Sequence, residues 1–274
     1  GKGRKVIDAD YESLEPHCFA SVSGDEKLQE IFDNNYDFYS YVAIQTEKLE
    51  GVSADKKADN YLKKLDPVKR NKAKAYSLGV AYGMEAYALK MTLGVDQKTA
   101  EGLIKGYLDG FPQLRDWREN SRKKVKESGY IKNYVGRVRH LPRVKKIYDK
   151  FGERMMDWRF RKDLESQGYG RDQVLKVYRD YRNGLNNCLN FQLQSLAAAV
   201  VNRAAVEINR KAKELNIDAI VQAQVHDQLI INVDEKEAEM FAPYVQEIME
   251  NTTKLPGVTL KAPPEISDNW RDGH

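Results

Sequence analysis

Cysteine is almost missing: Cys18 and Cys188 are the only two in 274 residues. So few thiols, so far apart, build neither a disulfide framework nor a metal knuckle, and a reducing, cytoplasmic compartment is expected. Long apolar runs are missing too. The longest in the apolar 193–201 region is Leu196 to Val201, far short of the roughly 20 residues that span a bilayer, so no membrane role is expected. The opening Gly-Lys-Gly-Arg-Lys has no apolar core of a secretory signal behind it. Proline and glycine do not gather into a linker and no internal repeat is visible, so separable domains are not indicated. What remains is 41% hydrophobic and 31% charged, enough to bury a real core and too apolar for a disordered chain.

The net charge of +4 hides an internal asymmetry. Residues 1–66 carry 9 basic and 14 acidic side chains, residues 115–146 carry 12 and 3, and residues 233–274 carry 4 and 9. The basic block is interleaved with Trp117, Tyr130 and Tyr134, with Tyr148 just beyond it. That composition suits phosphate neutralisation with base stacking, and equally suits a solvated helix face such as Arg-Lys-Lys-Val-Lys at 122–126.

Apolar spacing near 3.6 predicts helices over 26–50, 66–92, 96–128 and 191–215, with Asp25, Asp66 and Asp96 as N-caps. Lys5 to Asp10 reads as a strand, and residues 219–233 as two strands around His226-Asp227. The fold class is α+β, a small antiparallel sheet carrying helices. Residues 143–185 are charged and Tyr-rich, with little periodicity.

Three places carry chemistry. His-Asp suits a two-residue hairpin turn poorly, because such turns favour Gly and Asn. An acid at that tip can hold a cation at the sheet edge, and Asp10 ends its strand in a similar position. Two such carboxylates suit a pair of Mg²⁺ ions in phosphoryl transfer. Equally, Asp10 can cap the next helix while Asp227 accepts turn hydrogen bonds. The third place is a stripe: Arg70, Lys74, Leu78 and Tyr82 recur every four residues, a line about 18 Å long on one helix face. It is cationic at one end and apolar at the other, the polarity of a nucleoside triphosphate. Gly79 and Gly83 beside it suggest close approach of another group.

In this order, the three segments resemble motifs A, B and C of the family A DNA polymerases. Asp10-Tyr11-Glu12-Ser13-Leu14-Glu15 is similar to motif A, followed by Ser23-Gly24-Asp25 and Asp37-Phe38-Tyr39. Arg70-x3-Lys74-x3-Leu78-Gly79-x2-Tyr82-Gly83 is similar to motif B, and Val225-His226-Asp227-Gln228 to motif C. Asn190-x3-Gln194, Gly129-Tyr130 with Gly136-Arg137, and Asn269-Trp270 with a terminal His274 extend the resemblance nearly end to end.

The resemblance implies a palm over 1–51 and 186–274, and mainly helical fingers over 52–185 with an insertion at 143–185. Asp10, Asp227 and the Tyr11 carbonyl would bind two Mg²⁺ ions. Glu15 would exclude a 2′-hydroxyl, Arg70 and Lys74 would grip the triphosphate, and Leu78 and Tyr82 would line the nucleotide site. His226, Asn190, Gln194, Arg137 and Gln228 would meet DNA. The substrates would be primer-template DNA and dNTPs. Departures from the family pattern are Leu78 for an aromatic residue, Gln228 for Glu, His17 for Arg and Asn186 for Arg. No thumb or exonuclease precedes motif A here, so a separate N-terminal polypeptide supplying both is expected. Single-subunit RNA polymerases share the motif B and His-Asp features, but Glu15 argues against them. A catalytically silent nucleic-acid-binding subunit is the other alternative, and intact Asp10, Asp227, Arg70 and Lys74 argue against it.

Overall fold

A computed structural model describes residues 3–270; the predicted terminal feature His274 lies outside them. Strand β1 (Arg4–Asp10) leads through Tyr11 into α1 (Leu14–Ser23), which is entered through Ser13 in the left-handed region at φ 55. Next come α2 (Glu26–Asp33), α3 (Phe38–Glu47) and the short α4 (Leu62–Leu65). Then follow α5 (Pro67–Ala81), α6 (Ala86–Leu93), α7 (Gln97–Gly110) and α8 (Pro112–Ser128). A hairpin of β2 (Tyr130–Lys132) and β3 (Val138–His140) precedes α9 (Pro142–Phe151), a 3₁₀ turn (Gly152–Met156) and α10 (Trp158–Ser166). The chain ends with the long α11 (Arg171–Glu214), β4 (Ala219–Val225), β5 (Gln228–Asp234), α12 (Ala238–Asn251) and β6 (Pro264–Ser267).

The three expected caps form: Asp25 accepts from the Leu28 amide, Asp66 from Lys69 and Asp96 from Thr99. Side-chain oxygens at these positions satisfy amides that a helix start leaves orphaned. Asp25 does more. Fully buried, its second oxygen accepts from the amides of Gln113 and Leu114 at 3.1 and 3.2 Å, so one carboxylate ties the starts of α2 and α8 together.

Three of the four predicted helices are divided, and each break has a local cause. The 26–50 stretch stops at Asn34 and Asn35, the latter at φ 56, before Asp37 caps α3. The 66–92 stretch breaks at Gly83, φ 100, and the 96–128 stretch at Phe111, where Pro112 lacks the amide needed to continue. In the other direction, 191–215 is only the end of α11, which starts 20 residues earlier at Arg171. Its early buried residues, Val174, Tyr181, Leu185 and Cys188, sit among charged ones that obscure the period.

The sheet is antiparallel with order β4-β5-β1-β6. Ile7 opposes Ile231 and Ala9 opposes Leu229 on the core face. They pack with α1, α12 and the C-terminal half of α11 in one apolar cluster that continues through Tyr76 of α5 and Tyr107 of α7. A second cluster joins the end of α8, β2, α9, α10 and the first half of α11 through Val125, Ile131, Val144, Leu164 and Tyr181. The weakly periodic 143–185 stretch thus supplies much of a second core. No helix among the described residues is long and apolar enough to cross a membrane.

Candidate active site

Strand register brings the two predicted acids to one rim. Asp10, the last residue of β1, lies opposite Gln228, the first of β5, so Asp227 is one residue from its cross-strand partner. Antiparallel partners sit roughly 4.5–5.5 Å apart at Cα, which brings the backbones of Asp10 and Asp227 together at the same end of the sheet. The Tyr11 amide also donates to the Asp227 carbonyl at 3.4 Å. Tyr11 is anchored from below by its buried hydroxyl, which donates to the Met249 carbonyl at 2.7 Å.

His226 takes φ 56, a positive angle that few non-glycine residues adopt. Ser13 does the same on the opposite side. Both line a cleft of about 460 Å³ that also holds Asp227, Glu15, Tyr39 and Gln194. Sparsely populated backbone on two walls of one cleft is a feature of functional sites.

Helix α5 and its C-cap Tyr82 reach this cleft through two of its lining residues, Tyr39 and Glu15. The Tyr82 hydroxyl donates to Glu15 Oε1 at 2.6 Å; burial, then this bond, raises the phenol well above its ordinary range. Arg70 donates to both oxygens of Asp37 at 3.0 Å and lies 5.0 Å from the Tyr39 ring centroid; Lys74 lies 5.7 Å from the same ring and is exposed. Leu78 is half-buried against the core. Gly79 and Gly83 show the anticipated close approaches. A Cβ on Gly79 would lie 2.5 Å from the Met84 methyl, and one on Gly83 would lie 2.5 Å from Asn186 Oδ1.

The Arg70–Asp37 pair makes stability depend on pH. Burial alone would raise the Asp37 carboxyl, but hydrogen bonds from Arg70 and Ser40 and the Arg70 charge outweigh it and hold the group below 3.8. A depressed folded value means the stabilisation is complete above the unfolded value and is lost as pH falls through the folded one. Urea unfolding should therefore show a loss between about pH 4 and pH 2 that is smaller in Asp37→Asn, whereas at pH 7 the variant should be weaker by about 2 kcal/mol. Equal acid sensitivity in both proteins would contradict this account.

A scan against family models matches DNA polymerase family A over residues 1–272. The chain belongs to DNA polymerase family A. It is 28% identical to the thermostable DNA polymerase I of Thermus filiformis over 98% of this chain and 27% of that protein. With DNA polymerase I of Pseudomonas aeruginosa it shares 27% identity over 100% of this chain and 25% of that protein. The chain thus spans about a quarter of the curated relatives it matches. A solved structure, the POL domain of Pol1 from M. smegmatis in complex with DNA primer-template and dNTP, superposes with a TM-score of 0.79 at 24% identity, covering all of this chain and 41% of that one. That match bears out the α+β fold. The expectation of a separate thumb and exonuclease polypeptide draws no support from these comparisons.

Within the family A frame, the other predicted residues fall in distinct surroundings. Gln194 is exposed into the cleft, and Asn190 lies one turn earlier on α11 with a buried Oδ1 that has no hydrogen-bond partner. Arg137 is exposed in the β2–β3 hairpin, whose Asn133 donates to Ser195 at 2.7 Å, beside Gln194. Gln228 departs from its expected place at the DNA surface: it is 5% exposed, and its amide donates to both oxygens of buried Asp8 at 2.7 and 2.8 Å. The acid absent from position 228 therefore stands across the sheet on β1. Neither Asp8 nor the Asp37 partner of Arg70 was legible beforehand, although Asp8 precedes Asp10 by two residues and so shares its strand face. His17 is buried and stacks on Phe32 at a centroid distance of 3.9 Å; burial lowers its pKa.

Among the described residues no group of three or more His, Cys, Asp or Glu could hold a metal ion. The donors at the rim are two carboxylates and the Tyr11 carbonyl, all hard oxygens. That set fits Mg²⁺, which takes one or two protein carboxylates and leaves its other positions to water and substrate phosphates.

Proposed function

We propose that this chain carries the nucleotidyl-transfer site of a template-directed DNA polymerase, with the palm in 1–51 and 186–274 and the fingers in 52–185. The substrates are primer-template DNA and a dNTP. The primer 3′-hydroxyl attacks the α-phosphate in line and pyrophosphate leaves. What supports this most is the strand register that sets Asp10 beside the His226-Asp227 turn at the mouth of a cleft.

Each wall of that cleft has a task. Asp10, Asp227 and the Tyr11 carbonyl would hold two Mg²⁺ ions, whose chemistry there would be to neutralise phosphate charge and favour the nucleophilic oxygen. Lys74 offers an uncommitted cation to the triphosphate, and Arg70, fixed by Asp37, adds its charge along the same helix. Tyr82 holds Glu15 in one orientation, so a 2′-hydroxyl would meet a carboxylate already hydrogen-bonded elsewhere. Gln194 and Asn190 offer amides to the minor groove of the nascent pair. Positioning and fixed charge supply most of the acceleration for this reaction class.

Primer extension on a recessed template with Mg²⁺ tests the reading. Templated dNTP incorporation with weak use of rNTPs is expected. Preferential rNTP use would transfer the site to an RNA polymerase, and no extension with either substrate would sink the proposal.

A further inference from the structure

Behind the Tyr82–Glu85 turn, on the side away from Glu15, lies a second cleft of about 440 Å³ between the α5–α6 junction, α7 and α8. Met84, Ile104 and Leu108 form its apolar walls, with the Gly83 backbone at one end. Arg115, Arg118 and Arg122 enter it from one face of α8, spaced three and four residues apart.

The acids of this cleft are engaged elsewhere. Asp109 pairs with Lys105 and Arg115, Glu85 with Arg182, and Glu101 accepts from the Gln97 amide. Arg118 is left over. It is 7% exposed, its Nε is buried without a partner, and among the described residues no hydrogen bond or ion pair reaches its guanidinium. Arg122 is half satisfied: Nη2 donates to Asn186 Oδ1 at 2.8 Å while its buried Nε has no partner. Burial and then the neighbouring Arg122 charge lower Arg118 to about 10, against the smaller opposing pull of Tyr107 and Glu119. A buried guanidinium with no ion-pair partner, next to a second, half-buried one, is costly, and removing water from such a charge is tolerated where an anion replaces it.

We infer that the Arg118–Arg122 cleft is a binding site for a phosphate oxyanion, occupied by the backbone of the nucleic-acid strand that passes the candidate active site. Guanidinium forks match phosphate oxygens in a bidentate manner. A strand fits better than a free ion because the positive charge does not end at the cleft. The cleft lies within the block of 12 basic and 3 acidic residues over 115–146, where Lys123, the residue after Arg122, is exposed. Gly83, which lines this cleft, follows Tyr82, whose hydroxyl donates to Glu15, so the cleft adjoins the candidate active site. The choice of a strand as occupant rests on the proposed function.

Arg118→Met tests the site, since Met fills similar volume without charge. Binding of a labelled primer-template with a 5′ overhang is read by anisotropy across salt concentrations, and thermal unfolding is read with inorganic phosphate against chloride at matched ionic strength. The variant should melt higher than the parent, bind the primer-template roughly tenfold more weakly, and lose about one counter-ion from the salt slope. Arg122→Met should weaken binding in the same direction. If phosphate ceases to stabilise the variant while DNA affinity is unchanged, the site is for free phosphate and the strand assignment fails. A variant that melts lower, showing that the fold itself satisfies Arg118, or one with parental DNA affinity, salt slope and phosphate response, overturns the inference. Binding is read without turnover, so failure of the parent protein to extend primers would sink the proposed function and leave this site standing.

Discussion

Asp227→Asn should lower single-turnover nucleotide incorporation on the order of 10³-fold or more, as expected when several kcal/mol of charge stabilisation are removed from a phosphoryl-transfer site. Asn keeps the shape of the side chain. It also keeps the backbone link in which the Asp227 carbonyl accepts from Tyr11, so the hairpin has no reason to move. Primer-template affinity should stay within about twofold, because one carboxylate among many charges sets little of a salt-dependent interaction. Asp10→Asn, at the neighbouring register position, should behave alike. A rate for either variant within tenfold of the parent would remove the acids from the chemistry, and with them the proposed function.

Gln228→Glu should destabilise the fold by about 3–5 kcal/mol at neutral pH, although Glu is the residue that the motif C resemblance calls for at this position. The Gln228 amide donates to both Asp8 oxygens inside the sheet, with each residue 5% exposed. A second carboxylate there meets the first at hydrogen-bond distance with no donor between them. One of the two must then take up a proton, so the penalty should shrink on acidification and grow as pH rises. Asp8→Asn in the Gln228→Glu background restores one acid and one amide with their places exchanged. It should recover most of the loss, the signature of a direct pair in a double-mutant cycle. Chemical denaturation at pH 5 and pH 8 provides the comparison. Additive single-variant effects would mean that Asp8 and Gln228 do not recognise each other.

Such pairs mark where sequence reasoning stops. The Asp25, Asp66 and Asp96 caps were legible because a cap acts within four residues, and the strands at 5–10 and 219–233 because alternation and turn chemistry are local. Asp10 and Asp227 could be brought together only through the motif order, and the register that sets one beside the other appears only when β1 lies on β5. The Arg70–Asp37 and Gln228–Asp8 contacts join residues 33 and 220 positions apart, and no periodicity connects them. Arg118 shows the limit most plainly. In the sequence it is one cation in a basic block that suits a solvated face; in the fold it is buried and Lys123 and Lys124 are not. The broken helices have a related cause, since apolar spacing persists across Asn35, Gly83 and Phe111 while the backbone does not.

Helix α11 runs 44 residues without interruption, about 66 Å at 1.5 Å per residue. Its first half is embedded in one apolar cluster and its second half in the other. The two clusters are thus mounted on a common axle, and neither can swing freely about a hinge in that segment. Any relative motion of α5 against the sheet has to pivot elsewhere, at the glycine and proline breaks flanking α5 to α8, while Asn190 and Gln194 stay fixed on the α11 axle.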